Sequence, residues 1–169
     1  DFIRTTEDRH YKTVQRLWKI LEEKKFIYLS KYSGWYSVSD EAFYTESEIT
    51  EKDNNKICKT TGSIVEWVEE ESYFFKLSEF QNILIKHYED NPEFIQPASR
   101  RNEVMSFVKG GLNDLSISRN SFKWGIPVPN SKDHIVYVWL DALTNYLTAT
   151  NYFEDNSSWP ADVHIIGKD

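Results

Sequence analysis

The chain has 169 residues, 40% hydrophobic and 15% aromatic, enough to bury the core of one domain or one and a half. Its 20 basic and 27 acidic residues leave a formal charge of -7, which argues against a self-sufficient nucleic-acid binder held by a basic face. No run approaches the roughly 20 apolar residues of a membrane span, and the one cysteine, Cys58, leaves no disulfide within the chain and fits a reducing compartment.

The chain opens on Asp1, has a single methionine, Met105, and stops on Gly167-Lys168-Asp169 directly after an apolar run. Both ends are therefore expected to be cuts in a longer polypeptide. Asp1 to Thr6 reads as a strand end and a turn, with Thr6 or Asp8 the candidate cap of a helix. Val14, Leu17, Trp18 and Leu21 share one face of that helix, and Lys24-Lys25 suit its negative end. His10, in the first turn, is expected to face solvent or to cap.

From Phe26 the pattern turns to strands. Phe26–Leu29, Gly34–Ser39 and Ala42–Thr45 are three, with a turn at Asp53-Asn54-Asn55-Lys56; Ile64–Val68 and Ser72–Leu77 are two more. Several short strands in sequence predict a small antiparallel module that interrupts a helix-and-strand alternation. Ser78 and Gln81 have capping-box spacing, and the helix they open carries Phe80, Ile83, Leu84 and Tyr88. Pro97 opens another helix with Val104, Phe107 and Val108 inward, closed by Gly110-Gly111. Leu115–Ser118 alternates like a strand and delivers Arg119. Pro127 and Pro129 keep residues 125–134 in a loop.

The stretch from Ile135 to Tyr146 has the clearest organisation. Ile135-Val136-Tyr137-Val138 reads as a strand buried on both faces, the kind found in parallel sheets. At Trp139 the period changes: Trp139, Ala142, Leu143 and Tyr146 fall at i, i+3, i+4 and i+7, one face of a helix. Ligands of open α/β sheets bind just past the carboxyl ends of such strands. The stripe therefore reads either as a pocket wall or as a core helix packed on a sheet. Val163–Ile166 is a last buried strand that delivers Asp169. If the strands ending at Arg119, Trp139 and Asp169 are parallel neighbours, a cation, an apolar pocket and a carboxylate meet on one rim, which suits a zwitterion with an apolar side chain. Arg119 and Asp169 fit a structural ion pair equally well.

Other chemistries find no support. There is no phosphate-binding glycine loop, and Cys58 with the scattered His10, His87, His134 and His164 does not make a zinc site. His164-Ile165-Ile166-Gly167 is similar to a His-Ile-Gly-His signature but has an extra isoleucine, and Lys168 stands where the second histidine belongs.

Eight segments in order resemble the methionyl-tRNA synthetase family: residues 1–10 (DFIRTTEDRH), 34–46 (GWYSVSDEAFYTE), 73–77 (YFFKL), 100–111 (RRNEVMSFVKGG), 114–119 (DLSISR), 124–129 (WGIPVP), 137–146 and 159–169 (WPADVHIIGKD). The resemblance implies an α/β fold: part of a Rossmann-like class I synthetase catalytic domain with an inserted small antiparallel α+β connective-peptide domain. Residues 1–25 would be a catalytic-domain segment, 26–113 the insertion, and 114–169 the return into the second half of the catalytic sheet.

It also implies a methionine pocket of Val138, Trp139, Ala142, Leu143 and Tyr146, with Arg119, Asp141 and Asp169 as supporting charges. Many relatives carry proline where this chain has Leu143, and zinc knuckles where 45–62 holds only Cys58, so no zinc is expected. The implied reaction activates L-methionine with ATP and Mg2+ and passes it to tRNA(Met), in the cytoplasm or in an organelle, with no membrane or DNA partner. The family's nucleotide signatures lie outside these residues, so the chain alone is expected to be inactive. The alternatives are a synthetase for valine, isoleucine or leucine, whose editing insertion is larger, and a stand-alone non-catalytic binding module.

Overall fold

The computed structural model describes residues 2–40, 42–121, 123–155 and 158–167. The chain forms two compact units, one of residues 1–28 with 73–169 and one of residues 29–72. Along it run α1 (Asp8–Glu23), β1 (Ile27–Ser37), β2 (Ala42–Tyr44), β3 (Ile49–Lys52), β4 (Asn55–Cys58), β5 (Glu66–Phe75), α2 (Gln81–Asp90), α3 (Ala98–Lys109), β6 (Leu115–Ser116), β7 (Ser118–Arg119), β8 (Ile135–Val136) and α4 (Val138–Ala149).

In the larger unit, α1 buries His10, Val14 and Trp18, spaced four apart and so stacked on one stripe. Val14 and Trp18 join Ile27, Ile117, Ile126, Val128 and Val136 in the core. The helix begins after Glu7, which is extended and gives no side-chain cap, rather than after Thr6 or Asp8. Glu7 Oε1 instead accepts from the Arg4 amide at 3.1 Å, fixing the turn before the helix. It ends in a Schellman motif: Phe26 N–H donates to the Leu21 carbonyl and Lys25 N–H to that of Glu22, with Lys25 at φ 61° where glycine is usual.

The capping box expected at Ser78 and Gln81 is not used. The Ser78 hydroxyl donates to Asp114 Oδ1 at 2.5 Å, and Gln81 Oε1 accepts from the Leu112 amide at 2.8 Å. These two side chains tie the start of α2 to the segment that leaves α3, and α2 begins at Gln81 behind a 3-10 turn, Leu77–Phe80. On α3, Val108 is buried, but Phe107 is 71% exposed and not inward, because it lies about 100° around the helix from Val108.

In the smaller unit the separate strands expected on either side of residue 30 run as one, β1, and those at 64–68 and 72–77 run as β5. Both strands carry the chain from one unit to the other. Here β1 pairs antiparallel with β2, Trp35 opposite Tyr44. The β3–β4 hairpin turns at Asp53-Asn54, both at positive φ as a tight hairpin turn demands. Ile49, Cys58 and Val65 form its core, with Trp35 and Tyr44 against them.

In the larger unit β5 pairs with β6, Phe74 opposite Ser116, and β7 pairs with β8, Ser118 opposite Val136 and Arg119 opposite Ile135. Both pairs are antiparallel, so the parallel arrangement expected for the 135–138 strand is not what these residues form. The strand is also shorter, two residues, because Tyr137 already serves as the extended residue before α4. Val163–Ile166 forms no strand. It is irregular, and Val163, Ile165 and Ile166 are 76%, 86% and 67% exposed. Strand propensity alone does not hold an extended segment; its amides and carbonyls need a neighbouring strand, and none of the described residues supplies one.

Candidate active site: the outward face of α4

Tyr137 leaves β8 extended, at φ -69° and ψ 145°, and its amide still donates to the Ile117 carbonyl at 2.9 Å. The next residue is helical. With no loop between strand and helix, the direction of α4 is set by the β7–β8 pair.

The helix is inverted relative to an ordinary amphipathic one. Its inward face is mostly polar: beside Leu140, which packs on the core, Thr144 and Thr148 are each 2% exposed, and Asp141 turns in with them. Its outward face is apolar: Val138, Trp139 and Leu143 are more than half exposed, Ala142 is exposed with them, and Tyr146 is half-buried. The predicted stripe therefore exists, and it points away from the core of its unit. Within this chain Trp139 and Leu143 do not pack into the core cluster.

Arg119 reaches this face in an unexpected way. Antiparallel register places its backbone opposite Ile135, at the far end of β8 from Trp139. The long side chain covers the gap. Its guanidinium carbon lies 3.8 Å from the centre of the Tyr137 ring, and Nη1 donates to Ser116 Oγ and to the Ser118 carbonyl, both at 2.7 Å. The Tyr137 ring in turn stands 5.4 Å from that of Trp139. Arg119, Tyr137 and Trp139 thus form a continuous line onto the helix face. Asp169, with Lys168, lies outside the described residues.

Asp141 is not a free charge. His10 Nε2 lies 2.7 Å from its Oδ1, and His10 Nδ1 lies 2.9 Å from Thr148 Oγ1. The expectation of a solvent-facing or capping His10 is wrong: the residue is fully buried. The spacing His10, Val14, Trp18 on one stripe was the signal that could have revealed it. Tyr137 was missed as well, because it reads as one more strand residue. So was His164, whose ring packs edge-on against Tyr146 with centroids 4.0 Å apart.

Two other features bear on the chemistry. A cleft of about 550 Å³ runs along α1, lined by Arg9, Lys12, Arg16, Thr148, Phe153 and Glu154, and the residues of the α4 stripe are not part of it. Among the described residues no three His, Cys, Asp or Glu side chains come together to hold a metal ion. Cys58 is buried and hydrogen-bonded; contact with Thr61 lowers its thiol pKa. Among the described residues no helix is long and apolar enough to cross a membrane.

Comparison with known proteins bears on the same residues. The family model described as tRNA synthetases class I (M) matches residues 1–169. The methionine–tRNA ligase of Rhizobium meliloti is 55% identical over the whole of this chain and 34% of its own length, and that of Rickettsia conorii is 56% identical over the whole chain and 33% of its own. A crystal structure of Mycobacterium tuberculosis methionyl-tRNA synthetase bound by methionyl-adenylate superposes with a TM-score of 0.84 at 51% identity, over 99% of this chain and 34% of that one. The chain thus spans about a third of the length of the relatives it matches.

Proposed function

This chain belongs to the tRNA synthetases class I (M) family, and from that premise we propose that it supplies one wall of the amino-acid pocket of a methionine–tRNA ligase. The observation that carries this reading is the outward apolar face of α4. Val138, Trp139, Ala142, Leu143 and Tyr146 offer an apolar, aromatic surface where a core helix would offer charge. A thioether suits it, since sulfur against a ring edge gains about 0.3–1.5 kcal/mol. Arg119 is a supporting charge, Asp141 supports the helix from behind, and Asp169, outside the described residues, is assigned as a supporting charge by the family resemblance alone. The relative from Mycobacterium tuberculosis has been seen with methionyl-adenylate, which fits a methionine side chain in this position.

In the complete protein the reaction has two steps. A carboxylate oxygen of L-methionine attacks the α-phosphorus of ATP, the bond to the β-phosphate bridging oxygen breaks, and methionyl-adenylate and pyrophosphate result. A terminal adenosine hydroxyl of tRNA(Met) then takes the acyl group and AMP leaves. Mg2+ would offset charge on the ATP phosphates. Most of the acceleration comes from positioning and from stabilising phosphate charge. The part assigned to this chain is side-chain selection, where an apolar pocket discriminates by about 1–3 kcal/mol per methylene.

Residues 1–25 and 114–169 are read as catalytic-domain segments, and 26–113 as a connective-peptide insertion with a zinc-free knuckle. The compact unit 29–72, whose one cysteine is buried in an apolar core with Ile49 and Val65, supports the last point. The cytoplasm is the proposed compartment.

The test is Trp139→Ala in the complete protein. The KM for methionine in pyrophosphate exchange is expected to rise at least about tenfold, the loss of one good apolar contact. An unchanged KM overturns the pocket.

A further inference from the structure

Resting on that pocket reading, we propose that His10 is a positioning residue for the amino-acid pocket: it fixes the rotation of α4 about its own axis, through Asp141 and Thr148, and so decides where Trp139 and Leu143 stand. His10 belongs to α1, 131 residues before Asp141, and is fully buried.

The inward face of α4 explains why such a device is needed. An apolar face would be held by packing, which is strong but tolerant of small rotations. This face has one apolar side chain packed on the core, Leu140, and is otherwise made of Asp141, Thr144 and Thr148. The Thr144 hydroxyl donates to the Leu140 carbonyl at 2.6 Å, and that of Thr148 to the Thr144 carbonyl at 3.2 Å, so both are partly spent within the helix. Beside that single packing contact, His10 supplies a directional hold, one ring nitrogen on each of Asp141 and Thr148, seven positions apart. Two bonds two turns apart resist rotation where one would act as a pivot.

The donor pattern adds to this. The Asp141 carboxylate only accepts, so Nε2 donates to it. The Thr148 hydroxyl either accepts from Nδ1 while donating to the Thr144 carbonyl, or gives up that longer bond and donates to Nδ1. Both arrangements keep the ring fixed and leave no buried ring nitrogen unpaired.

The amide side chains of asparagine and glutamine separate the two bonds. In the complete protein, His10→Asn places its nitrogen near the Nδ1 position and keeps Thr148, whereas His10→Gln reaches the Nε2 position and keeps Asp141. Since a misplacement of about 1 Å costs up to about 100-fold, we expect His10→Asn to raise the methionine KM about tenfold with the ATP KM unchanged, and His10→Gln to restore it. Asp141→Ala breaks the same bond from its partly exposed side and serves if the buried variant fails to fold. It should give the same rise, and the double variant should be no worse than either single one.

Methionine KM values for His10→Asn and Asp141→Ala within about twofold of the unaltered protein would overturn the positioning role, since such small changes do not register a moved helix. So would equal losses of thermal stability in every variant with no split between methionine and ATP. Trp139→Ala runs in parallel: if it raises the methionine KM while the His10 variants do not, only the positioning role falls; if it too has no effect, the pocket itself falls.

Discussion

The guanidinium of Arg119 lies over Tyr137, its carbon 3.8 Å from the ring centre, and joins a strand that runs away from α4 to the helix it would otherwise miss. The arginine is buried, and its Nη1 is spent on Ser116 and Ser118. Geometry and charge both hold it there. Arg119→Lys keeps the charge but loses the guanidinium over the ring and the forked donors. Urea unfolding should show a loss of about 1–2 kcal/mol, the range of a desolvated cation–ring contact. Tyr137→Phe, which keeps the ring, should cost much less, and Tyr137→Leu should match the lysine variant.

Leu143 offers a second reading of the helix face. It is 61% exposed and touches no core cluster, so removing it costs the fold little. Leu143→Ala should leave the melting temperature nearly unchanged, yet raise the methionine KM of the complete protein about tenfold, the value of one to two methylenes in an apolar pocket. A large fall in stability with no change in KM would return Leu143 to the core.

The smaller unit has its own acid-sensitive joint. Asp40 accepts from Tyr44 at 2.8 Å and from Thr61 and Ser63 at 2.7 Å, tying the β1–β2 turn to the segment after β4. Hydrogen bonds from Ser63, then Thr61 and Tyr44, pull its carboxyl down to about 2, and the carboxylate in turn pushes the Tyr44 hydroxyl up to about 12. The folded value lies below the ordinary carboxylate value of about 3.9, so the stabilisation is fully present above about pH 4 and is lost as pH falls toward 2. Asp40→Asn should therefore lower thermal stability at neutral pH, and the gap to the unaltered protein should close in acid. A gap independent of pH would mean that the contacts, not the charge, hold the joint.

Lys25 marks a place where the chain departs from its own best choice. Its φ of 61° at the end of α1 suits glycine, and a side chain there costs about 1–2 kcal/mol before the unfolded-state entropy of glycine is counted against it. Lys25→Gly should be neutral or stabilising by up to about 1 kcal/mol in thermal unfolding, the reverse of what glycine does inside a helix.

Much of the fold could be read from spacing. The stripe of α1, the Asp53-Asn54 turn, Pro97 before α3 and the helix starting within one residue of Trp139 all follow from patterns within a few turns of chain. The failures share a cause. Ser78 and Gln81 have the spacing of a cap, but both side chains bond beyond the next helix, to Asp114 and the Leu112 amide. Val163–Ile166 has strand composition and no strand beside it among the described residues. A local pattern cannot see a distant partner.

The site divides in the same way. Sequence alone determined that Trp139, Ala142, Leu143 and Tyr146 share a helical face, and the order of its motifs determined the family, because periodicity and motif order are properties of the chain itself. Only the tertiary structure decided which way that face points. The buried His10 holds Asp141 and Thr148 inward from 131 and 138 residues away, and helix geometry then turns the apolar stripe out. Spacing says which residues travel together around a helix; contact with another element says where they arrive.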